Sequence, residues 1–326
     1  MERTLEKVRN HPIYQALNPE GKRFMEVRWL PANLNPFTEH DISIAALIPF
    51  TIFPHIKVIP TFQMMREDCE IGLYRDKHTI VVDSSGNTAH AVARLARAFG
   101  FSEVKVVLPA DVPESKKGIL TALSSVEIIE VSGTKSVAER AREEAKKPGH
   151  YHLNQYSHMG NLRGHELYTG PEIERALEGR DVSVIAVALG SGGTAGGVGR
   201  YIRRRTGRSS VIGVRPKLGE QVPGARDARR MEAVVTLPWN NWLAALVEVS
   251  RKESFAGMRT LWSSVEPQPG PTSGLAWKGL ELFLKGLDSG TMENLRGSTV
   301  AFVCPDDGRF YSERTTGELD PDQGLV

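Results

Sequence analysis

A glycine-rich run near the middle of the chain is the clearest chemical signal in this sequence. It reads Gly190-Ser191-Gly192-Gly193-Thr194, and three more glycines follow before Arg200. An apolar run typical of a strand precedes it, and a pattern typical of a helix follows it. Glycines at such a junction expose backbone N–H groups at a helix start, where the helix dipole also favours an anion. The run predicts a phosphate site, with a tight strand-to-helix connection as the alternative.

A second polar turn, Ser84-Ser85-Gly86-Asn87-Thr88, follows another apolar run. It gathers hydroxyl groups, an amide and the N–H donors of a helix start, which suits a carboxylate or a phenolic oxygen. Any helix start prefers the same residue types, so a simple N-terminal cap is the alternative.

The elements that would position these turns alternate along the chain, which is typical of a mostly parallel sheet covered by helices. Apolar, β-branched runs predict strands at Thr79–Val82, Val104–Leu108, Val126–Val131, Val184–Leu189, Val211–Val214 and Thr299–Val303. Helices are predicted at Phe62–Glu70, at Ala89–Phe99, after Pro113 and through Tyr201–Arg205. Stretches rich in proline and glycine predict loops at Gly219–Gly224 and Glu266–Gly274, and the first forty residues read loosely as strand plus loop.

Composition argues against several classes of partner. The 326 residues carry 41 basic and 39 acidic side chains, and a net charge of +2 produces no field that would attract nucleic acid or an acidic membrane. A cluster of arginines, Arg200, Arg203, Arg204, Arg205 and Arg208, has no interleaved aromatic residues, so we interpret it as a solvated helix face.

The cysteines and histidines predict no metal and no disulfide. Cys69 and Cys304 lie far apart in no ligand spacing, and His150, His152 and His158 lack a convincing fourth ligand. A reducing cytoplasm is expected. The charged N-terminus lacks the apolar core of a signal peptide, and the apolar run Ile42–Phe53 is too short to span a bilayer, so a soluble protein is expected.

Five ordered motifs resemble the cysteine synthase and cystathionine β-synthase family of fold-type II enzymes that use pyridoxal 5′-phosphate (PLP). The resemblance covers roughly residues 42 to 312. The motifs are the Ser84–Thr88 turn, the block from Asn154 through His165 to Ile173, the Gly190–Thr194 turn, the segment Gly270–Gly274, and the tail Cys304–Tyr311.

The resemblance implies an α/β fold of the tryptophan synthase β-like kind, with two three-layer (αβα) domains and mostly parallel sheets. It assigns residues 1–45 plus 160–326 to a large domain that binds the PLP phosphate. Residues 46–159 would form a smaller, mobile domain that carries the Schiff-base lysine and the asparagine turn.

The family's Schiff-base lysine corresponds to Lys57 when the spacing from Gly72 is counted back without a gap. Its neighbours depart from the family, since His55 stands where the family has serine. A rival alignment through Asn35-Pro36 would place His40 or Asp41 at this position and leave no Schiff base. Without the motif context, Lys57 would read as a surface lysine with a partly buried stem. An apolar surround would make its amine a better nucleophile.

The resemblance also assigns roles to other residues. Asn87 would bind the PLP phenolic oxygen, and Thr272 would face the pyridine nitrogen. Gly190, Ser191, Gly192, Gly193 and Thr194 would hold the phosphate. The substrate carboxylate would lie on Ser84, Ser85, Gly86, Thr88 and Gln155. Arg215 and Arg226, where the sequence departs from the family, are candidates for binding an acidic cosubstrate or a phosphorylated donor, with surface exposure as the alternative.

The function implied is β-replacement on an O-activated serine-type amino acid, with a small nucleophile as the second substrate. A PLP-dependent β-elimination lyase or deaminase is the alternative among enzymes. A pseudoenzyme that acts as a partner subunit is the alternative of another class, because the context of Lys57 is altered. The family implies a homodimer.

Overall fold

Two units make up the protein in the computed structural model, which describes residues 5–133, 136–205, 207 and 209–311, without the side chains of residues 309 and 310. Unit 1 comprises Met1–Lys22 and Lys57–Gly164, and unit 2 comprises Arg23–Ile56 and His165–Val326. The bounds differ from the expected domains, because residues up to 22 and residues 160–164 group with unit 1, and residues 46–56 group with unit 2. Mobility of the smaller domain stays a prediction.

The strands are short and mostly central to their sheets. Among the described residues they are β1 (Glu26–Trp29), β2 (Ser43–Ile48), β3 (Thr79–Asp83), β4 (Glu103–Pro109), β5 (Val126–Val131), β6 (His150–His152), β7 (Val182–Ala188), β8 (Ser210–Pro216), β9 (Ala245–Val249) and β10 (Thr299–Val303).

The helices occupy most of the segments between strands. In the described ranges they are α1 (Leu5–Arg9), α2 (Pro12–Leu17), α3 (Val58–Glu70), α4 (Asn87–Ala96), α5 (Glu114–Thr121), α6 (Val137–Ala145), α7 (Met159–Gly164), α8 (Gly170–Ala176), α9 (Gly193–Arg205), α10 (Ala228–Val234), α11 (Arg251–Leu261), α12 (Pro271–Lys285) and α13 (Ser289–Asn294). A π-helical turn, His165–Thr169, joins α7 to α8.

Each unit is built on one sheet. Unit 1 has a four-stranded parallel sheet in the order β5-β4-β3-β6. Unit 2 has six strands in the order β1-β2-β10-β7-β8-β9, and β1 alone among them pairs antiparallel. The α/β fold with mostly parallel sheets that the sequence predicts is therefore confirmed.

The central strands explain why helices cover the sheets. Every residue of β3 and of β10 is buried, so neither face of these strands meets solvent. Runs such as Val300, Ala301 and Phe302 are apolar without alternation, which is the pattern of a strand buried on both faces. In unit 2 the side chains of α12 join those of the strands in one apolar core. In unit 1, Phe62 of α3 packs against Phe99, which follows α4.

All six strands predicted from apolar runs are present, with ends shifted by no more than two residues. The helix predicted at Ala89–Phe99 is present as α4, and Gly100 follows it with a left-handed φ of 82°. The helix expected after Pro113 is α5, and Pro113 caps it.

Two sequence predictions were wrong. The first forty residues, read as strand plus loop, contain the helices α1 and α2 as well as β1. The loop predicted at Glu266–Gly274 ends early, because α12 begins at Pro271. Proline suits the first turn of a helix, where its missing N–H has no intrahelical partner, so a proline-glycine stretch can also start a helix.

Within the described part of the chain, no helix combines the length and the apolar character needed to cross a membrane.

Candidate active site

The glycine-rich turn of unit 2 connects β7 to α9 and has the conformation that an anion cradle requires. Gly192 adopts a φ of 79°, a left-handed conformation that residues with a side chain rarely adopt. Helix α9 begins at the next residue, so the N–H groups of its first turn point towards this end. The turn is anchored at its start, where the N–H of Leu189 donates to the carbonyl oxygen of Val214 at 2.8 Å.

Two glycines of this turn are required by close contacts within unit 2. A Cβ at Gly190 would lie 2.5 Å from the carbonyl oxygen of Gly224, and one at Gly192 would lie 2.5 Å from the Cβ of Trp239. Neither distance leaves space for a methyl group. The glycines are therefore more than a flexible connection, because neighbouring segments fix the shape of the turn.

The hydroxyl groups of the turn are buried and oriented. The Ser191 hydroxyl accepts a long hydrogen bond, 3.5 Å, from the N–H of Gly193. The Thr194 hydroxyl lies 3.1 Å from Nε2 of His165, on the π-helical turn. Ser191 is 2% exposed and Thr194 9% exposed, so a bound anion would meet little competing water.

Thr272, the second residue of α12, has a buried hydroxyl group. Its side chain is 3% exposed, and its Oγ1 has no hydrogen-bond partner among the described residues. A buried hydroxyl without a partner costs free energy, and such groups are often ligand contacts. A Cβ at Gly224 would lie 3.2 Å from its Cγ2, so Thr272 borders the segment that contacts Gly190.

The polar turn of unit 1 follows β3 and leads into α4, which begins at Asn87. The hydroxyl of Thr88 donates to Oε1 of Gln155 at 2.8 Å, and both side chains are buried. The structure thus brings together two residues predicted to bind one carboxylate, although they lie 67 positions apart. Ser84, Ser85 and Asn87 are half-buried, and the N–H of Gly86 donates to the Ser84 hydroxyl at 3.3 Å.

Lys57 is half-buried and directly precedes α3. Its carbonyl oxygen accepts a hydrogen bond from the N–H of Thr61, in the first turn of that helix, at 3.2 Å. Its neighbours Ile56 and Val58 are fully buried, so the apolar surround expected from the sequence is present. His55, which replaces the family's serine, is buried and pairs with Asp306 as a backbone bridge within unit 2.

His90 lies in the first turn of α4, and its pKa is lowered. Burial, followed by the charge of Arg94, lowers the pKa of His90 to about 4. The imidazole is therefore neutral at pH 7 and adds no positive charge at the start of α4.

Other candidates from the sequence have structural partners. Arg215 pairs with Glu248, with 2.9 Å between Nη2 and Oε1. The backbone N–H of Arg226 donates to the carbonyl oxygen of Leu189, which places Arg226 beside the glycine-rich turn.

The histidines and arginines set aside as metal ligands or nucleic-acid contacts also have partners. His152 lies 3.1 Å from Asp83, and His158 lies 2.8 Å from Asp68. Two of the clustered arginines, Arg200 and Arg204, pair with Glu166, while Arg208 lies outside the described residues.

Sequence reasoning missed two residues that shape the turn of unit 2. Trp239 packs on Gly192, and the only sequence signal was the pair of tryptophans in Trp239-Asn240-Asn241-Trp242. His165 was noticed as part of a motif, but its contact with Thr194 spans 29 positions and has no local pattern.

Each unit, taken by itself, contains residues that suit a part of PLP. A glycine-lined turn at a helix start suits a phosphate. The partnerless hydroxyl of Thr272 can meet a pyridine nitrogen, and a lysine next to an apolar helix start suits a covalent bond to a carbonyl. No carboxylate among the described residues pairs with Oγ1 of Thr272.

Comparisons with known proteins agree with this fit. The cysteine synthase of Aquifex aeolicus is 32% identical over 181 residues, covering 54% of this chain and 55% of that protein. Cysteine synthase B of Pseudomonas aeruginosa is 26% identical over 221 residues, covering 62% and 72%. The cysteine synthases of Staphylococcus aureus align over 50% of their length. The chain thus spans about half the length of most curated relatives it matches.

Solved structures share the fold over nearly the whole chain. An O-ureido-L-serine synthase superposes with a TM-score of 0.79 at 19% identity, covering 96% of each chain. A cysteine synthase from Entamoeba histolytica gives a TM-score of 0.79 at 19% identity, covering 97% of this chain and 92% of that one. The architecture is that of fold-type II PLP enzymes.

A family model described as "Pyridoxal-phosphate dependent enzyme" matches residues 56–306, a range that includes Lys57, both polar turns and Thr272. The chain therefore belongs to the family of pyridoxal-phosphate dependent enzymes.

Proposed function

We propose that this chain catalyses PLP-dependent β-replacement on an O-activated serine-type amino acid. A small nucleophile would replace the oxygen-linked group on the β carbon and give a β-substituted alanine. The observation that carries the proposal is Thr272, a buried neutral hydroxyl with no partner in the described chain, in a family that uses PLP.

The neutral character of Thr272 selects among PLP reactions. When bound, PLP supplies an electron sink for the bond that breaks at the substrate Cα. A hydroxyl can share a hydrogen bond with the pyridine nitrogen, but it cannot hold a full proton there as a carboxylate would. The weaker electron sink would favour loss of a β leaving group over racemisation or transamination.

The residues of unit 1 supply proton transfer and carboxylate binding in this proposal. Lys57 would hold the cofactor covalently, and its free amine would accept the proton from the substrate Cα. Asn87 donates to the phenolic oxygen of PLP. Ser84, Ser85 and Gly86 bind the substrate carboxylate.

Thr88 acts on the same carboxylate through Gln155. Because Oε1 of an amide can only accept, the Thr88 hydroxyl must donate its proton to Gln155. That bond fixes which end of the amide faces Thr88. One of the two amide N–H groups reaches the Tyr156 hydroxyl at 3.3 Å, and the other can donate to a carboxylate.

In unit 2 the Gly190–Thr194 turn binds the phosphate of PLP through backbone N–H groups and the hydroxyls of Ser191 and Thr194. The contacts of Gly190 and Gly192 hold those donors in place before the cofactor arrives. A preorganised cradle binds more tightly because little ordering remains to be done on binding.

The similarity to cysteine synthases supports an O-activated serine as donor and sulfide or another small nucleophile as acceptor. We propose further that the enzyme works in the cytoplasm, as a homodimer. Both cysteines are buried free thiols, which fits a reducing compartment. Sedimentation equilibrium of the purified protein tests the dimer.

The test begins with the visible absorption spectrum of the purified protein supplied with PLP. We expect a band from the lysine-bound cofactor in the parent and its loss in Lys57→Ala. Lys77→Ala, which removes another half-buried lysine of unit 1, is the matched control and should keep the band. O-acetylserine or O-phosphoserine is then added with sulfide or an amine, and products are identified by mass spectrometry.

The products decide between the alternatives. A β-substituted alanine supports the proposal. A keto acid and ammonia formed at the same rate with and without the nucleophile would instead show a lyase or deaminase. A protein that stays colourless with PLP would be a pseudoenzyme, and the proposal would be wrong.

A further inference from the structure

His165 lies between two hydroxyl groups in the interior of unit 2. Its side chain is 0% exposed. Nδ1 lies 2.9 Å from Oγ1 of Thr169, and Nε2 lies 3.1 Å from Oγ1 of Thr194. Thr169 belongs to the same π-helical turn, whereas Thr194 belongs to the glycine-rich turn. The imidazole therefore connects the two turns through both of its nitrogens.

The π-helical turn is held against α9 by contacts other than His165. Glu166 pairs with Arg200 and Arg204 at 3.2 and 2.6 Å. A Cβ at Gly170 would lie 2.5 Å from Cγ of Tyr201, so the backbone directly after the turn meets α9 closely. Two ion pairs and a close backbone contact thus hold the turn in place. π-Helical turns are rare and often accompany functional sites.

The number of available protons restricts how the three groups can be arranged. A neutral imidazole has one donor and one acceptor nitrogen. If Nδ1 donates to Thr169, then Nε2 must accept the Thr194 proton, and Thr194 presents only lone pairs to the turn. If Thr169 donates to Nδ1, then Nε2 donates to Thr194, whose own proton stays available. An imidazolium, a donor at both nitrogens, also leaves the Thr194 proton available.

We propose that His165 is a positioning residue that donates from Nε2 to Thr194, so that the Thr194 hydroxyl donates its proton to a phosphate oxygen. This inference rests on the proposed role of the Gly190–Thr194 turn as the phosphate site. Lone pairs of Thr194 aimed at an anion would repel it. A phosphate in the turn therefore selects the arrangement in which Nε2 carries a proton.

The first test measures directly which ring nitrogen of His165 carries a proton. The parent protein is labelled with ¹⁵N-histidine, and the ring signals of His165 are assigned by their loss in His165→Gln. In the protein loaded with 4′-deoxypyridoxine 5′-phosphate, which lacks the aldehyde and forms no bond to lysine, we expect Nε2 to be protonated. A proton on Nδ1 alone would overturn the inference. The variant serves only to assign the signals, and the position of the proton is measured in the parent protein.

The second test is a double-mutant cycle on the affinity for the same ligand. Thr194→Val and His165→Leu should each weaken binding about 10-fold, the size expected for one hydrogen bond to a charged group. If His165 acts through Thr194, the double variant should also lose about 10-fold. A loss of about 100-fold would show independent effects and contradict the proposal. His165→Gln, which keeps an N–H donor near the Nε2 position, should stay within about 3-fold of the parent.

Unphosphorylated pyridoxine is the control ligand. If His165 serves the phosphate, His165→Leu should change pyridoxine affinity by less than about 2-fold. An equal loss for both ligands would point to a general structural role and refute the inference. Failure of the parent to bind either PLP or the deoxy analogue would refute the proposed function instead, whereas normal binding with an additive cycle would refute the inference alone.

Discussion

The Gly190–Thr194 turn of unit 2 and the Ser84–Thr88 turn of unit 1 differ in how much space surrounds a glycine of each turn. At Gly192 the backbone is left-handed and a Cβ would collide with Trp239. At Gly86 the φ is −134° and a Cβ would meet nothing within 4 Å. Neighbouring segments leave no space for a side chain in the first turn, whereas the second has open space at its glycine and is joined to the rest of unit 1 by the hydrogen bond from Thr88 to Gln155. The difference suits a turn that keeps a cofactor and a turn that exchanges a substrate.

Matched glycine substitutions test this contrast with the largest expected effect. Gly192→Ala meets both a strained φ and the Trp239 side chain, so PLP affinity should fall by at least about 100-fold. Gly86→Ala meets neither and should change PLP affinity by less than about 3-fold. Equilibrium titration with PLP measures both variants. Equal losses at the two positions would remove the distinction between the turns.

Removing the bond between Thr88 and Gln155 should affect the substrate and spare the cofactor. In Thr88→Val the amide of Gln155 loses the hydroxyl that fixes its orientation, so the KM for the amino acid should rise about 10- to 30-fold. PLP affinity should stay within about 2-fold. Steady-state kinetics and PLP titration on the same preparation check this. Thr121→Val, on the exposed side of α5, is the control and should alter neither quantity.

Thr272 should show opposite effects on stability and on cofactor binding. Thr272→Val removes a buried hydroxyl that has no partner in the described chain, so the protein without PLP should gain about 1 kcal/mol in unfolding free energy. The same change should weaken PLP binding about 5- to 10-fold, because the pyridine nitrogen loses a partner. Urea unfolding of the apoprotein and PLP titration measure the two effects. A loss of apoprotein stability would show that the hydroxyl has a structural role.

Low pH should lower the free energy of unfolding through His90, which lies close to the Ser84–Thr88 turn. Its pKa is about 4 in the folded protein, below the ordinary value of 6.5. Between those two values the unfolded chain binds a proton that the folded chain refuses, so the free energy of unfolding falls as the pH drops from 6.5 to 4. In His90→Gln this part of the decline should disappear. Urea unfolding at a series of pH values checks it, and an unchanged slope would contradict the assignment.

Local patterns predicted much of the fold. Strands β3 and β10 are largely apolar runs because both of their faces are buried, and the helical period of α4 is followed by Gly100. Strands β1, β6 and β9 were missed, because β1 and β6 have only four and three residues and β9 is mostly half-buried or exposed. Such short strands are defined by the strand they pair with, as when β9 adds to β8. Their own residues carry too little pattern.

The candidate site likewise combines features that the sequence shows with contacts that only the folded protein makes. The sequence by itself determined the chemistry offered at each turn, because glycines, hydroxyls and a lysine carry their properties wherever the chain places them. Tertiary structure alone decided that Trp239 closes on Gly192, that Thr88 orients Gln155, and that His165 contacts Thr194. These contacts join residues 29 to 67 positions apart, and no helical or strand period extends across such distances. Only the folding of each unit can bring such residues together.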